Sequence, residues 1–307
     1  MTMRLPVAGL AQVFALVAGL SLSVAASQAS LSRPNRPQPF QNGIYEASGV
    51  VEVPGSNGIL FVDDGRPKHV LWMGLSEAGA ESTPVTPVSL GAQVPDMEDM
   101  ASDGRFFYVV GSQSQGGGRK VDGLVRFEFD ARTLTATNVQ HATGLRQMLS
   151  AALPDLLSGG RRSEWLNIEG LTWDAARSRL LLGLRSPMAG DDAVLISLKF
   201  RDPAAPLTTE NLEIGGPVVR LPLGGHAIRG LGYDADRHVV LILAGASTYG
   251  PGVPFVLYEW DGVSPAGLRP ITTFPQHEKP EGVTRIHLGG RVHTLIVFDT
   301  SGFELID

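Results

Sequence analysis

One phrase recurs along this chain and limits what it can fold into. Glu98-Asp99-Met100-Ala101-Ser102-Asp103, Glu169-Gly170-Leu171-Thr172-Trp173-Asp174, Arg229-Gly230-Leu231-Gly232-Tyr233-Asp234 and Glu281-Gly282-Val283-Thr284 align directly, and Ser48-Gly49-Val50 fits when Ser takes the lead place. The lead residues stand at 48, 98, 169, 229 and 281, at spacings of 50, 71, 60 and 52. Each phrase precedes a strongly apolar run, such as Phe106–Val110, Leu180–Leu184 or Val239–Leu243. A polar turn follows, then a further run such as Leu124–Phe129 or Val194–Leu198, then a weaker one such as Pro217–Leu221. Runs of β-branched and aromatic residues bounded by Gly, Asp and Pro are strand signals. A four-stranded unit of about fifty residues repeated in register is a β-propeller blade, whereas a β-sandwich would show strands without a phrase recurring in place. The chain is therefore expected to be all-β, a propeller of five four-stranded blades.

The fifth copy reaches Asp307 with no room for a fourth strand. An N-terminal strand near Phe40–Tyr45 is expected to complete it and close the ring, which removes exposed sheet edges. The long interval between 98 and 169 leaves a sixth, irregular blade open. It reads instead as a helical insertion near 141–165, because Gly144–Leu153 has helical periodicity and Pro154 ends it. The propeller then occupies 40–307.

Ahead of it, Arg4 precedes the apolar run Leu5–Leu22, and small residues at Val24–Ala29 offer a cleavage place. That is the pattern of a secretory signal peptide over 1–29, and it predicts a secreted or periplasmic protein with no transmembrane segment once the signal is removed. Residues 30–39 contain alternating prolines and read as an extended tether. The absence of Cys means that neither a disulfide nor a lipid-modified cysteine is used. With 25 Lys+Arg against 31 Asp+Glu, the chain lacks the basic footprint of a nucleic-acid binder. The 37 Gly and 21 Pro suit short strands and tight turns.

In a blade the first strand lies innermost, so the start of strand one and the turn between strands two and three open on one face. Ser48, Glu98, Glu169, Arg229 and Glu281 are thereby expected at a channel mouth, beside Asp63-Asp64, Ser112-Gln113-Ser114, Arg185-Ser186, Ser247-Thr248 and Asp299-Thr300-Ser301. Loops on a rigid scaffold are where function concentrates. Crowded carboxylates acquire raised pKa values or hold a cation. The oxygen donors of Glu98, Glu169, Glu281, Asp63, Asp64, Asp99 and Asp299 suit Ca²⁺ or Mg²⁺ better than zinc. Arg185 and Arg229 offer forks for an anionic group, with Ser48 and Ser186 beside them. The bland alternative for any single lead Glu is an ion pair or a cap on a neighbouring blade. Asp103, Asp174 and Asp234 fall at the turn after strand one and read as turn formers, while Trp173 and Tyr233 are expected to pack between blades. His226 and His277 lie near lead residues, as bases, ligands or surface groups. Gly116–Lys120 lacks the Lys-Ser/Thr of a phosphate loop and reads as flexible. No nucleotide or redox cofactor is expected.

The segments Glu46–Val51, Phe61–Asp64, Asp96–Met100, Asn167–Leu171, Leu184–Pro187 and Arg229–Leu231 together resemble the bacterial secreted family called domain of unknown function 3616. More distantly, the Glu-Gly-Leu phrases are similar to phytase-like and esterase-like propellers. That resemblance implies an acidic, calcium-bearing funnel that hydrolyses phosphate esters or related bonds, although a Lys/Arg-rich phosphate cradle is missing here beyond Arg185 and Arg229. Two readings follow. One is a Ca²⁺-assisted phosphoester or carboxylic-ester hydrolase, with Glu98, Glu169 and Glu281 as catalytic carboxylates and Asp63, Asp64, Asp99 and Asp299 completing the metal shell. The other is a non-catalytic module of the cell envelope that binds a small molecule, an envelope ligand or a partner protein, with a purely structural scaffold as a third option.

Overall fold

The computed structural model describes residues 36–115, 122–157, 166–247 and 253–307. The signal pattern at 1–29, the start of the Pro-rich stretch, the glycine run at 116–120, the end of the insertion at 158–165 and Thr248 lie outside those residues.

Five antiparallel sheets follow one another along the chain. Blade 1 is β1 (Ala47–Val53), β2 (Gly58–Asp63), β3 (His69–Leu75) and β4 (Glu81–Ser89). Blade 2 is β5 (Met97–Ser102), β6 (Phe107–Gly111), β7 (Leu124–Asp130) and β8 (Thr135–Ala142). Two helices, α1 (Leu145–Ala152) and α2 (Pro154–Leu157), lead towards blade 3. That blade holds β9 (Asn167–Asp174), β10 (Arg179–Ala189), β11 (Asp192–Phe200), β12 (Leu212–Ile214) and β13 (Val219–Leu221). Blade 4 is β14 (Ala227–Asp234), β15 (Val239–Gly245), β16 (Phe255–Trp260) and β17 (Arg269–Phe274). Blade 5 is β18 (Pro280–Leu288), β19 (Arg291–Phe298) and β20 (Gly302–Ile306).

Within each blade spatial order equals chain order, which places strand one at one edge. These first strands touch one another around a closed ring: β1 meets β5, β5 meets β9, β9 meets β14, β14 meets β18 and β18 meets β1. The protein is a five-bladed β-propeller. Second strands lie between neighbouring blades and are buried on both faces, as in β2 and β6, so their sequences run apolar without alternating. Outer strands such as β4 mix buried and exposed positions. Five apolar clusters fill the five gaps between blades, and this burial is the main force holding the ring together.

The ring closes through one narrow contact. Gln38 exchanges both backbone hydrogen bonds with Phe303 of β20, at 2.7 and 2.9 Å. The expectation of a strand near Phe40–Tyr45 is corrected here: the fourth position of blade 5 is held at Gln38, and the residues from Phe40 to Tyr45 form no strand. Pro37 and Pro39 flank Gln38 and carry no N–H, so the ladder cannot grow beyond a single bridge. Phe40 and Tyr45 instead enter the apolar cluster between blades 5 and 1. Phe40 stacks on Phe61 with ring centroids 5.1 Å apart and lies 5.8 Å from Phe303. In blade 3 the outer strand is split, with β12 and β13 pairing opposite ends of β11. Gly215-Gly216-Pro217 interrupts it, with Gly216 at φ 144°. Among the described residues, no helix is long and apolar enough to cross a membrane.

Candidate functional site

Every lead residue sits at a slip in the pairing between strands one and two. Glu98 falls between the pairs Met97–Gly111 and Asp99–Val110. Glu169 falls between Ile168–Leu184 and Gly170–Gly183, and Arg229 between Ile228–Ala244 and Gly230–Leu243. Glu281 falls between Pro280–Phe298 and Gly282–Val297, while in blade 1 Ser48 and Gly49 fall between Ala47–Asp63 and Val50–Phe61. Such a β-bulge inserts one extra residue, breaks the ladder locally and re-aims a side chain. The recurring phrase is thus a recurring bulge, and in blades 3, 4 and 5 it turns Glu169, Arg229 and Glu281 towards one another.

Arg229 is the hub of that meeting. Its Nε lies 2.6 Å from Glu169 Oε2 and donates to Glu281 Oε2 at 3.1 Å, and its Nη2 donates to Glu281 Oε1 at 2.5 Å. Arg185, on β10, donates from Nη1 to Glu169 Oε1 at 2.7 Å and from Nε to the Ser247 carbonyl at 3.2 Å. Asn167 Nδ2 also donates to Glu169 Oε1, at 3.0 Å. Three blades are clamped by this array, and Glu169 is left only 3 % exposed. Burial pushes the Glu281 carboxyl up to about 7, against the pull of the Arg229 guanidinium.

Glu98 differs from its counterparts. It makes no hydrogen bond or ion pair with any described residue. Burial, then the charges of Glu169, Asp96 and Glu281, push its carboxyl well above the ordinary range. Beside it, Asp96 accepts a short hydrogen bond from Ser112 Oγ. Asp64 is raised to about 6, first by burial and then by a hydrogen bond with Glu46.

Next along each phrase the inner strands nearly touch. A Cβ on Gly230 would overlap the Glu281 carbonyl oxygen, and one on Gly282 the Ser48 carbonyl oxygen. Only blade 2 has a side chain here, Asp99, which is fully buried. Its carboxylate accepts N–H bonds from Leu171 in blade 3 at 2.7 Å, from Leu231 in blade 4 at 3.0 Å and from Met100 at 2.7 Å. Burial raises its pKa and the three N–H bonds oppose that rise. Asp99 staples three blades at the centre of the ring.

The structure therefore brings Glu98, Glu169, Arg185, Arg229 and Glu281 together and leaves other expected members to local tasks. Asp63 accepts from Gly65 N at 2.9 Å and from Arg66 Nε at 3.2 Å, and Asp299 pairs with Lys279 at 2.5 Å. Ser48 is half-buried at the bulge of blade 1, and Ser186 lies in β10 opposite Asn167. His226 hydrogen-bonds the Leu223 carbonyl and His277 is exposed. Asp174 and Asp234 do more than form turns: Asp174 pairs with Arg177 and Arg179, and Asp234 pairs with Arg285 of the next blade at 2.8 Å. Trp173 stacks on Tyr108 of blade 2 at 6.2 Å, and the Tyr233 hydroxyl accepts from Ala176 N of blade 3.

A second polar ring precedes the lead residues by two positions, at Glu46, Asp96, Asn167 and Lys279. Its polarity in four of five blades was the sequence signal that could have revealed it. Asn167 Oδ1 is buried there without a hydrogen-bond partner.

The donor set expected for calcium does not fit a calcium shell as placed. Glu169 and Glu281 are held by arginines, Asp99 by three N–H groups, Asp63 by its own turn and Asp299 by Lys279. Among the described residues no group of three or more His, Cys, Asp or Glu side chains is arranged to hold a metal ion. The arginine forks expected to bind an anion already grip carboxylates.

Fold and site together define a five-bladed β-propeller with an arginine-braced carboxylate cluster at one end of its inner ring. The family model described as a protein of unknown function (DUF3616) matches residues 137–304, more than half of the chain, and the chain belongs to that family. No curated protein matches it in sequence. Among solved structures it is similar to the soluble aldose sugar dehydrogenase of Escherichia coli in its apo form, at 12 % identity over 88 % of this chain and 98 % of that one, with a TM-score of 0.48. It is also similar to a putative gluconolactonase, at 12 % identity over 90 % and 93 % with a TM-score of 0.44. A third is the PQQ domain of pyranose dehydrogenase from Coprinopsis cinerea, at 10 % identity over 88 % and 96 %, TM-score 0.44. At that level nothing about activity passes from these proteins to this chain.

Proposed function

We propose that the mouth is the active site of an exported hydrolase that cleaves uncharged carboxylic esters, with Glu98 as the acid–base residue. The observation that carries this reading is that Glu98 alone among the lead carboxylates has no hydrogen bond or ion pair with a described residue. Its neighbours Glu169 and Glu281 are held by Arg229, so their positions are fixed and Glu98 is left to act. A general base works best when its pKa lies near the working pH, and burial with three neighbouring carboxylates moves Glu98 in that direction. The ionised Glu98 takes a proton from water as the water oxygen bonds to the ester carbonyl carbon. Glu98 then returns that proton to the alkoxide as the carbon–oxygen bond breaks. The apolar segment Leu5–Leu22 supports export.

Phosphate esters fit less well, because Arg185 and Arg229 are engaged with carboxylates and the surroundings of Glu98 are acidic. The mature protein is therefore assayed against p-nitrophenyl acetate, p-nitrophenyl butyrate and p-nitrophenyl phosphate, with and without a chelator. The carboxylic esters should be hydrolysed in preference, chelation should change nothing, and E98Q should lose about a hundredfold or more in kcat. Calcium-dependent cleavage of the phosphate would overturn the reading in favour of the metal-assisted enzyme. No cleavage of any of them would favour the non-catalytic binding module.

A further inference from the structure

The ring also has a cavity, separate from the lead residues. It has a volume of about 250 Å³ and is lined by all five inner strands at the positions three and four residues after each lead. At about 3.3 Å per strand residue its wall lies roughly 10–13 Å from the lead ring. The close strand contacts at Gly230 and Gly282 and the Asp99 staple stand between the two.

The wall of this cavity has spent its charges. Glu52 pairs with His287 at 3.1 Å and Arg285 with Asp234 at 2.8 Å. Asp103 is bonded by Arg105 N, Phe106 N and the Tyr108 hydroxyl. A charged ligand would find no vacant counter-charge among these. What is unspent is neutral. Thr172 lines the cavity, is only 3 % exposed, and its hydroxyl has no hydrogen-bond partner among the described residues. The Trp173 indole N–H is likewise without a partner there, and Trp173 and Tyr233 give the wall aromatic surface from two neighbouring blades. The Thr172 hydroxyl is therefore available to hydrogen-bond a molecule seated in the cavity. Aromatic faces beside neutral hydrogen-bonding groups suit a ring with an apolar face and hydroxyls at its edge. The volume is below the range typical of drug-sized sites, which sets the size at a single ring.

We infer that this cavity is a second ligand site, for a small uncharged polyhydroxylated ring of the neutral monosaccharide class, with Thr172 and Trp173 as its recognition residues. It works independently of the ester chemistry at the mouth.

The test is titration of the mature protein with glucose, galactose, mannose and xylose, and with glucose 6-phosphate, followed by the four Trp indole signals in a ¹⁵N–¹H spectrum and by calorimetry. At least one neutral sugar should shift the Trp173 indole signal and bind more tightly than the phosphate. T172V should weaken that binding about tenfold, the worth of one hydrogen bond of about 1.4 kcal/mol, and E98Q should leave it unchanged. W173F keeps the aromatic ring and should also weaken binding, which covers a T172V protein that fails to fold. Absence of any shift at saturating neutral sugar, tighter binding of the phosphate, or loss of binding in E98Q with retention in T172V would overturn the inference. Ester activity without sugar binding would sink this site alone, and sugar binding without ester activity would sink the mouth reading alone.

Discussion

Arg229 breaks the pattern of acidic lead residues, and the structure shows why a cation stands there. Two buried carboxylates from the flanking blades converge on it. Removing one partner of a buried ion pair leaves uncompensated charge and costs about 3–5 kcal/mol. R229M should therefore lose about that much stability in urea unfolding near neutral pH, and less in acid, where the Glu281 carboxyl takes up a proton. Asp99 makes the complementary case. In the other four phrases its place is held by Gly49, Gly170, Gly230 and Gly282, so D99G restores the common pattern and introduces no overlap. It also orphans the Leu171 and Leu231 N–H groups. At about 1–3 kcal/mol for each buried unpaired donor, D99G should be destabilised by about 2 kcal/mol or more. A D99G protein as stable as wild type would show that the staple is dispensable.

The element that the sequence disclosed best was the inner strand, because its phrase combines a lead residue, a small residue and an apolar one in a fixed order. Blade number and the place of each inner strand could be read from that order. The bulge could not, since it is a mismatch between two strands and shows only when both are paired. Partnership was hidden for the same reason: Arg229 and Glu281 lie 52 residues apart, and no local pattern says which of several carboxylates an arginine will grip. The closing element was misplaced for a local reason, because prolines at 37 and 39 confine pairing to Gln38 and leave Phe40 to seal the ring by packing. Phe40 is buried against Phe61, Tyr45 and Phe303, and truncating a buried Phe costs about 3–5 kcal/mol. F40A should lower the urea midpoint accordingly while leaving the mouth's ester activity unchanged at low temperature.

At the scale of the whole molecule, the mouth makes stability depend on pH. A carboxyl whose folded pKa exceeds its unfolded value gives the folded state more bound protons. Its contribution is full below about 4.3 and is lost as pH rises through the folded value. Asp64, raised to about 6, and Glu281, raised to about 7, place that loss between weakly acidic and neutral pH. His287, raised by its hydrogen bond to Glu52, acts in the same direction. Asp130 and Glu210 are lowered and act oppositely, in more acidic solution. Calorimetric melting should therefore peak near about pH 5 and fall towards pH 8. E98Q, which cannot ionise, should fall less steeply than wild type over that range.

The proposed ester chemistry rests on Glu98 as the lead carboxylate with no hydrogen bond or ion pair among the described residues. The most direct measurement is a ¹³C NMR titration of the Glu98 side-chain carboxyl, assigned by comparison with E98Q. The signal should titrate well above the ordinary glutamate value of about 4.3, and its midpoint should move in R229M, where the nearby positive charge is gone. A Glu98 carboxyl that titrates near 4.3 and is indifferent to Arg229 would contradict the account.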